Sequence, residues 1–255
     1  MLETGSTTDT PVDDNLLRRY LHNQGELTAT LAECAGGEVL RAPGVIAGWY
    51  DNPVLYNNQA VLTSPLTDDV LAQVEKLFAG RAATLLSAWP TPDLADRGWQ
   101  LVGHPMFVVK SPGHLPVGAA PGVTTQVVCT AEELALGERI AADGYPVEPL
   151  QGAPANCVYP ESTLQTPLLV RIGYVDGEPV SVAASYLAHD VVNLCLAATL
   201  PAGRRKGVWA QLVADRCNDE EHLPACAVTS DDSRPGFVKL GFLPVQRMTM
   251  WMRQG

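Results

Sequence analysis

The stretch that decides the fold is Thr199-Leu-Pro-Ala-Gly-Arg-Arg-Lys-Gly-Val-Trp-Ala-Gln-Leu212. An apolar strand is predicted just before it, over residues 191–198, and a short basic loop follows that strand. Val208, Leu212 and Val213 then recur at helical spacing. The sequence therefore predicts a strand that passes through a glycine-containing basic loop directly into a helix.

This junction has the features of an anion-binding site. The first N–H groups of a helix have no intrahelical partner, and the helix dipole adds partial positive charge there. Arg204, Arg205 and Lys206 can add charge-assisted contacts to a phosphate. A basic triplet on a loop is more often only solvated, but its position at a strand-to-helix junction favours a phosphate site. The loop lacks the endings of a Walker loop and of a dinucleotide-binding loop.

The rest of the chain is acidic. The whole chain of 255 residues contains 28 Asp and Glu against 17 Lys and Arg, which gives a net charge of −11 at pH 7. This charge disfavours nucleic acids and anionic membranes as partners. No apolar run approaches the roughly 20 residues that span a bilayer, and the first ten residues lack the layout of a secretory signal. We therefore expect a cytoplasmic protein with no nucleic-acid or membrane partner.

Six cysteines are scattered along the chain without a Cys-x-x-Cys pair or a histidine at ligand spacing. This distribution predicts neither a metal site nor a disulfide framework. Cys195 is the cysteine nearest the basic loop, where the role of a small apolar residue is favoured over that of a nucleophile.

The chain divides into two halves with similar endings. Residues 111–121, rich in proline and glycine and without a periodic apolar pattern, are predicted to be a linker between domains 1–110 and 122–255. Gly98-Trp99 in the first half corresponds to Gly241-Phe242 in the second. In both halves a short helix stops at the glycine, and an apolar strand follows the aromatic residue.

The two halves also share an order of predicted elements. The second half is predicted as β-α-β-β-β-α-β-α-β. For the first half the predicted elements are a helix over Asp14–Asn23, strands over Gly44–Tyr50 and Tyr56–Ser64, a helix over Asp68–Phe78 and a strand over Ala83–Trp89. The expected fold is α+β (mixed α/β), with two tandem domains that each hold a mixed, mostly antiparallel sheet flanked by helices. Asp68 and Asp69 would repel a phosphate from the first copy's helix, so only the second copy keeps the anion site.

Residues 122–255 resemble the GCN5-related N-acetyltransferase (GNAT) superfamily, and the first half resembles a degenerate copy of it. The family's acetyl-CoA loop reads Arg/Gln-x-x-Gly-x-Gly/Ala, usually with a proline three residues earlier. Pro201, Arg204 and Gly207 fit this pattern, while Trp209 occupies the final small position. The run Phe237-Val-Lys-Leu-Gly-Phe242 is similar to the family's Tyr-x-x-x-Gly-Phe element. The resemblance implies an acyl-CoA N-acyltransferase-like fold.

The resemblance also implies acetyl-CoA as co-substrate. Backbone N–H groups from Arg205 to Trp209 would bind the pyrophosphate, and the pantetheine arm would pair with the end of the preceding strand. One N–H group of that strand would polarise the thioester carbonyl. The implied binding residues are Ala197, Ala198, Thr199, Arg204, Arg205, Lys206, Gly207, Val208, Trp209, Ser230, Ser233 and Phe237.

Two positions depart from the family pattern. Trp209 is bulky where the backbone must approach the ligand, and Phe237 replaces the tyrosine that often protonates the leaving thiolate. A thiol has a pKa of about 8.5, whereas an amine with a pKa of about 10.4 is neutral in only about one molecule in 2,500 at pH 7. A general base therefore matters more than the missing acid. The sequence does not identify this base; Glu148 and Glu161, in the irregular segment 144–165, are weak candidates.

We therefore expect an N-acetyltransferase that moves an acetyl group directly from acetyl-CoA to an amine of a small molecule or peptide. A homodimer is one assembly to be tested. Two alternatives remain open: a protein that senses acyl-CoA without turnover, and a structural scaffold in which Trp209 blocks the loop.

Overall fold

The computed structural model describes residues 16–118, 120–145 and 152–255. These residues form two mixed sheets with helices packed on them, and short 3₁₀ turns join some of the elements. The helices are α1 (Leu16–Cys34), α2 (Asp68–Leu77), α3 (Ala131–Gly144), α4 (Val208–Asn218) and α5 (Arg234–Lys239). The strands are β1 (Glu38–Ala42), β2 (Val45–Trp49), β3 (Gln59–Leu62), β4 (Ala83–Ser87), β5 (Gln100–Gly103), β6 (Met106–Lys110), β7 (Val123–Val127), β8 (Leu168–Val175), β9 (Glu178–Ala188), β10 (Val191–Thr199), β11 (Ala225–Thr229), β12 (Leu243–Arg247) and β13 (Thr249–Arg253).

The two sheets exchange a strand. The first has the order β1-β2-β3-β4-β13-β5, and the second has the order β12-β6-β11-β10-β9-β8-β7. Neighbours are antiparallel except for β3 with β4 and β10 with β11, which are parallel. Strand β6 pairs with β11 and β12, while β13 pairs with β4 and β5. The mixed, mostly antiparallel sheets agree with the expected fold class, but they do not follow the expected division into 1–110 and 122–255 strand for strand.

Local sequence signals set the second sheet's hairpins. The Asp176-Gly177 turn has φ angles of 53° and 85°, and His189-Asp190 has φ angles of 53° and 54°. Positive φ at both central residues is the geometry that two-residue hairpins favour, because its twist matches that of the strands. These two turns fix the register of β8, β9 and β10 along the chain. The predicted order of elements in the second half is confirmed through α5, and a pair of strands, β12 and β13, ends it.

The first half differs more from its prediction. Helix α1 continues to Cys34, eleven residues past the expected end, and β1 had not been expected. The segment expected as one strand over Tyr56–Ser64 holds a 3₁₀ turn and the shorter β3. Gly25 weakens the helical signal of α1, yet it is needed there because a Cβ at this position would lie 2.7 Å from Ile46 Cβ. Close packing against the sheet therefore overrides the local preference of this glycine.

Helix α1 joins the two sheets. The side-chain amide of Asn23 donates to the carbonyl oxygens of Tyr186, Ala188 and Val191 at 3.1, 2.9 and 3.2 Å. One buried apolar cluster draws on both halves of the chain and consists of Leu17, Tyr20, Leu21, Val61, Leu86, Phe107, Val191, Cys226 and Met248. Because the two sheets share this core, neither buries its apolar surface without the other.

Three further features concern the described residues only. None of their helices combines the length and apolar character that crossing a bilayer requires. The six cysteines are all free thiols. Within these same ranges, no three His, Cys, Asp or Glu side chains are grouped so that they could hold a metal ion.

Replacing Gly48 with alanine is predicted to destabilise the fold, because α1 packs directly on this position of β2. The added Cβ would lie 2.7 Å from the carbonyl carbon of Thr28 and 3.1 Å from Ala32 Cβ. We expect Gly48→Ala to lower the free energy of unfolding by roughly 1–3 kcal/mol, measured by urea denaturation. Gly118→Ala is the control, since its added Cβ meets nothing within 4 Å, and it should change stability by less than about 0.5 kcal/mol.

Candidate functional site

The second sheet opens between β10 and β11. Parallel pairing joins Val192 to Ala225 and Asn193 to Cys226 and goes no further. The register of β10 on β9 shifts between Asn193 and Leu196, which marks a β-bulge. Because a bulge bends the strand that carries it, β10 turns away from β11 and the two strands separate toward their carboxyl ends.

A cavity of about 560 Å³ fills this opening and is lined by both halves of the chain. The second half contributes β10, β11 and the rings of Trp209 and Phe237. The first half contributes one face of α1 and the segment 54–59, including Tyr56 and Gln59. The two halves therefore form one pocket, with the parted strands at one side and α1 at the other.

Helix α4 begins just beyond the end of β10 with a set of free donors. Gly207 precedes the helix with a φ of 87°, and Arg205 also has a positive φ, of 63°. The first of the helical hydrogen bonds runs from the Gln211 N–H to the Gly207 carbonyl at 3.0 Å. Among the described residues, no partner accepts from the backbone N–H groups of Arg205, Gly207, Val208, Trp209 and Ala210. Such an array at a helix N-terminus favours the binding of an anion.

The three cations of the loop differ in their surroundings. Arg204 donates from Nε to the Thr199 carbonyl at 3.2 Å and from Nη2 to the Gly144 carbonyl at 3.4 Å. The side chains of Arg205 and Lys206 are exposed and contact no acceptor in the part of the chain that is described. Arg204 therefore ties the loop to β10 and α3, while Arg205 and Lys206 are available to an anion.

The Trp209 ring packs against α5. It meets Phe237 edge-on, with ring centroids 5.1 Å apart and planes at 90°. Gly236 allows this contact, because a Cβ there would lie 2.9 Å from the indole. Phe237 makes a second edge contact with Phe242 at 5.0 Å and is 6% exposed. Trp209 thus leaves the N–H groups of the loop free, and Phe237 is a core residue that also lines the cavity.

The structure brings some of the other predicted site residues to the cavity and leaves others outside it. Ala197, Ser230 and Ser233 line it together with Trp209 and Phe237. Ala198 and Thr199 continue β10 toward the loop and pair with β9, and Val208 is buried beneath the loop. Glu161 is exposed at the start of a 3₁₀ turn and does not line the cavity. Glu148 lies outside the described residues.

Glu138 is a charged cavity residue that carries no motif in the sequence. Its Oε1 accepts the N–H groups of Val158 and Tyr159 at 2.9 and 2.6 Å. Burial raises the pKa of this carboxyl, and the backbone donors oppose the rise. Glu138 shares one face of α3 with Leu134 and Ala142, so a carboxylate on an apolar helical stripe was the signal that could have identified it.

Arg216 is the second charged cavity residue without a motif. It is 1% exposed and follows the buried Val208 and Leu212 along the inner face of α4. Cys195 lies beside it, and burial raises the pKa of this thiol to about 12, although Arg216 opposes the rise. The Cys195 thiol is therefore protonated at neutral pH, which argues against its use as a nucleophile.

Comparisons with known proteins identify the fold. No protein-family model matches the chain, and no curated protein matches its sequence. A GCN5-related N-acetyltransferase from Kribbella flavida superposes with a TM-score of 0.68 and 24% identity, covering 95% of this chain and 97% of that one. A GCN5-related N-acetyltransferase-like protein from Streptococcus suis 89/1591 has a TM-score of 0.55 and 15% identity, covering 91% and 100%. A functionally unknown conserved protein from Staphylococcus epidermidis ATCC 12228 has a TM-score of 0.59 and 12% identity, covering 87% and 95%.

These likenesses extend over nearly the whole of each chain, so both sheets belong to the shared fold. The protein therefore has a GNAT fold. At such identities the likeness describes architecture, and the chemistry has to be argued from this chain's own residues.

Reversing the charges of Arg205 and Lys206 is predicted to weaken the binding of a diphosphate at the loop, for which coenzyme A is the probe. We expect Arg205→Glu with Lys206→Glu to raise the Kd for coenzyme A at least about tenfold, because charge-assisted contacts are lost and repulsion replaces them. Calorimetry at two salt concentrations measures this, and the variant should also show a smaller salt dependence.

The matched control is Arg19→Glu with Lys76→Glu, which changes the net charge equally at two exposed positions on α1 and α2. It should leave the Kd within about twofold of the original value, since neither residue belongs to the loop and salt screens charges at the surface. Equal effects of the two double variants would show that the loop has no local role.

Proposed function

We propose that this protein is an acetyl-CoA-dependent N-acetyltransferase that moves an acetyl group directly to an amine. The observation that carries the proposal is the juxtaposition of five backbone N–H groups at the start of α4, which donate to no described residue, with the opening between β10 and β11. The first feature suits a diphosphate, and the second provides a strand edge for an extended arm. The thioester would supply an activated acyl carbon, whose C–S bond breaks as the C–N bond to the amine forms.

Different residues of the loop bind the coenzyme and hold the loop in place. The amides at the start of α4 bind the diphosphate, and Arg205 and Lys206 add charge. Arg204 holds the loop against the end of β10. On the side facing β11, β10 has no strand partner past Asn193 among the described residues. That edge offers hydrogen bonds to an extended ligand, as in the addition of a strand to a sheet.

Glu138 is the proposed proton acceptor for the incoming amine. It lines the cavity, and its Oε1 is held by two backbone N–H groups, which fixes the carboxylate in place. An ammonium group must lose a proton before its nitrogen can attack, so a fixed carboxylate beside the acceptor cavity meets the main chemical need. With Cys195 protonated, the proposal needs no covalent enzyme intermediate.

We further propose that the first half is a degenerate copy that shapes the acceptor pocket. The order β1-β2-β3-β4-β13-β5 matches β8-β9-β10-β11-β6-β12, with the parallel pair at the same place in each sheet. The described part of the first half has no counterpart of β7. Helix α2 takes the place of α4, but Thr67 caps it by accepting the Val70 N–H, and Asp68 and Asp69 occupy its first turn. These features favour an anion site in the second copy alone.

An acyl-CoA-binding protein without turnover is the second candidate. The observation that favours it is Phe237, a buried ring at the position where a hydroxyl would protonate the leaving thiolate. A cytoplasmic location and assembly as a homodimer stay predictions.

Turnover separates the two candidates. We expect the protein to bind acetyl-CoA by calorimetry and to release free thiol when a panel of primary amines is added. Binding without thiol release on any amine would support the sensor, and the absence of binding would contradict both.

Gly207→Ala should specifically impair coenzyme A binding. The φ of 87° is strained for any residue with a Cβ, and the new Cβ would lie 2.8 Å from Ala120 Cβ. We expect the Kd to rise at least about tenfold as the loop shifts. Gly177→Ala is the control, since its φ of 85° carries similar strain in a hairpin with nothing within 4 Å of the new Cβ. It should lower stability and leave the Kd unchanged.

Glu138→Gln is predicted to lower kcat about 100-fold, because it removes the proton acceptor while keeping an oxygen for the Val158 and Tyr159 N–H groups. In the original protein, kcat/KM should fall as the pH drops through the raised pKa of Glu138, since the protonated carboxyl accepts no proton. The variant should lack this limb of the pH profile. Glu133→Gln, in the capping box of the same helix, should leave kcat and the profile unchanged. A Glu138→Gln variant with full activity would remove this carboxylate from the mechanism.

A further inference from the structure

Arg216 fills the bulge that parts the two strands. Its Nη1 donates to the carbonyl oxygens of Ala184 and Leu196 at 2.7 and 3.0 Å, and its Nε donates to the Leu212 carbonyl at 2.9 Å. Ala184 and Leu196 are the paired residues where the register of β9 and β10 resumes after the bulge. The guanidinium therefore holds the strand in its bent course from within the sheet.

One end of this guanidinium has no partner. Nη2 of Arg216 is buried and makes no hydrogen bond to any described residue. Burial lowers the pKa of Arg216 to about 10, so the group stays charged at neutral pH. An uncompensated charge in a dry interior is costly, and natural proteins pair such charges with a counter-ion.

The described residues supply no counter-ion for it. None of the ion pairs in this part of the chain involves Arg216, and the nearby Asp219 is paired with Arg171 at 2.5 Å. The adjacent Cys195 thiol is protonated at neutral pH. The missing negative charge is therefore expected to arrive with a ligand, and Arg216 is among the residues that line the cavity.

The coenzyme's phosphates are poorly placed to be that charge. Arg216 lies eight residues beyond Val208 on α4, which is about 12 Å along the helix axis at 1.5 Å per residue. Diphosphate bound at the start of α4 would thus remain far from this guanidinium. The acetyl thioester is uncharged, so the anion belongs to the acceptor.

We propose that Arg216 binds a carboxylate of the acceptor, and that the acceptor is an amino acid with an apolar or aromatic side chain. This inference rests on the proposed acetyltransferase activity. The remainder of the pocket fits such a side chain, since Leu27, Leu31, Tyr56 and Tyr159 line it. Asn193, at the point where the strands part, also has an unpartnered buried Oδ1 that can accept from the amine.

The charged residues that line the pocket also disfavour an acceptor with several positive charges. Among its described lining residues, Glu138 is the one acidic side chain, and Arg216 opposes a second positive charge. The other carboxylates of the described residues lie outside this lining, so the net charge of −11 does not describe the pocket.

The test compares three probes that share a phenyl group and a primary amine: L-phenylalanine, L-phenylalaninamide and phenethylamine. The first alone carries a carboxylate. We expect its kcat/KM with acetyl-CoA to exceed that of the amide at least about tenfold, the effect of one charge-assisted hydrogen bond. The amine of the amide is less basic, so a larger fraction of it is unprotonated and able to attack. This difference favours the amide, and a preference for phenylalanine would therefore understate the effect of the carboxylate.

The variants show whether the preference depends on Arg216. Arg216→Met should abolish the ratio of phenylalanine to amide, and Arg216→Lys should keep part of it. The ratio is taken within one variant, so it does not depend on how much of that variant is folded. If Arg216 has only a structural role, Arg216→Met should lower the activity on phenylalanine and on its amide alike and leave their ratio unchanged. That result would overturn the proposal. Arg171→Met, which removes a neighbouring arginine paired with Asp219, should leave the ratio intact.

Direct binding separates this inference from the proposed activity. L-phenylalanine should raise the melting temperature of the original protein and not that of Arg216→Met, whereas phenethylamine should shift neither. If acetyl-CoA does not bind, the proposed activity fails, and these melting shifts alone decide whether the carboxylate site exists. Equal turnover of phenylalanine and its amide by an active protein would contradict the carboxylate site while leaving the transferase in place.

Discussion

The separation of β10 from β11 is the constraint on which the rest of the site depends. Two parallel residue pairs hold the strands together, and the bulge after Asn193 then directs β10 away. Without that departure the two strands would pair to their ends, and neither the cavity nor the free strand edge would exist. The bend is maintained by a buried guanidinium that satisfies carbonyls on both strands flanking the bulge. Shape and charge at this point thus come from one side chain.

The cavity also depends on the way the two halves are joined. Helix α1 lies on both sheets, and Asn23 donates to three carbonyls of the second sheet from within it. The exchange of β6 and β13 adds a covalent reason for the sheets to stay together, because each is completed by a strand of the other half. These contacts hold α1, which forms one wall of the pocket, against the sheet whose strands form the opposite wall. The two walls come from distant parts of the chain.

Burying the two charged side chains of the pocket costs desolvation free energy. Glu138 and Arg216 are both removed from water, and each keeps its place by hydrogen bonds to backbone atoms rather than by an ion pair. Well-packed apolar side chains at these positions would often give equal or greater stability. Every other described lining residue of the cavity is uncharged, so the retention of two opposite charges there suits a chemical role, in addition to the support that Arg216 gives to the bend. Their opposite signs also suit a ligand that carries both an amine and an acid.

The sequence by itself determined the features that depend on neighbours along the chain. The basic loop before α4, the two-residue turn at Asp176-Gly177 and the capping box of α3 are all set by residues within a few positions of one another. For the same reason, the order of elements in the second half could be predicted. A helix that begins near Val208, directly after Gly207, could likewise be predicted from the sequence, and the structure has it.

Tertiary structure decided what depends on residues far apart in the chain. The exchange of β6 and β13, the length of α1 past Gly25 and the sharing of one pocket between halves follow from packing across the two sheets. Glu138 and Arg216 look like ordinary charged residues on amphipathic helices until the sheets bury them. Burial and the absence of a counter-ion are properties of the assembled fold, because they arise from what surrounds a side chain in space rather than from its neighbours in sequence.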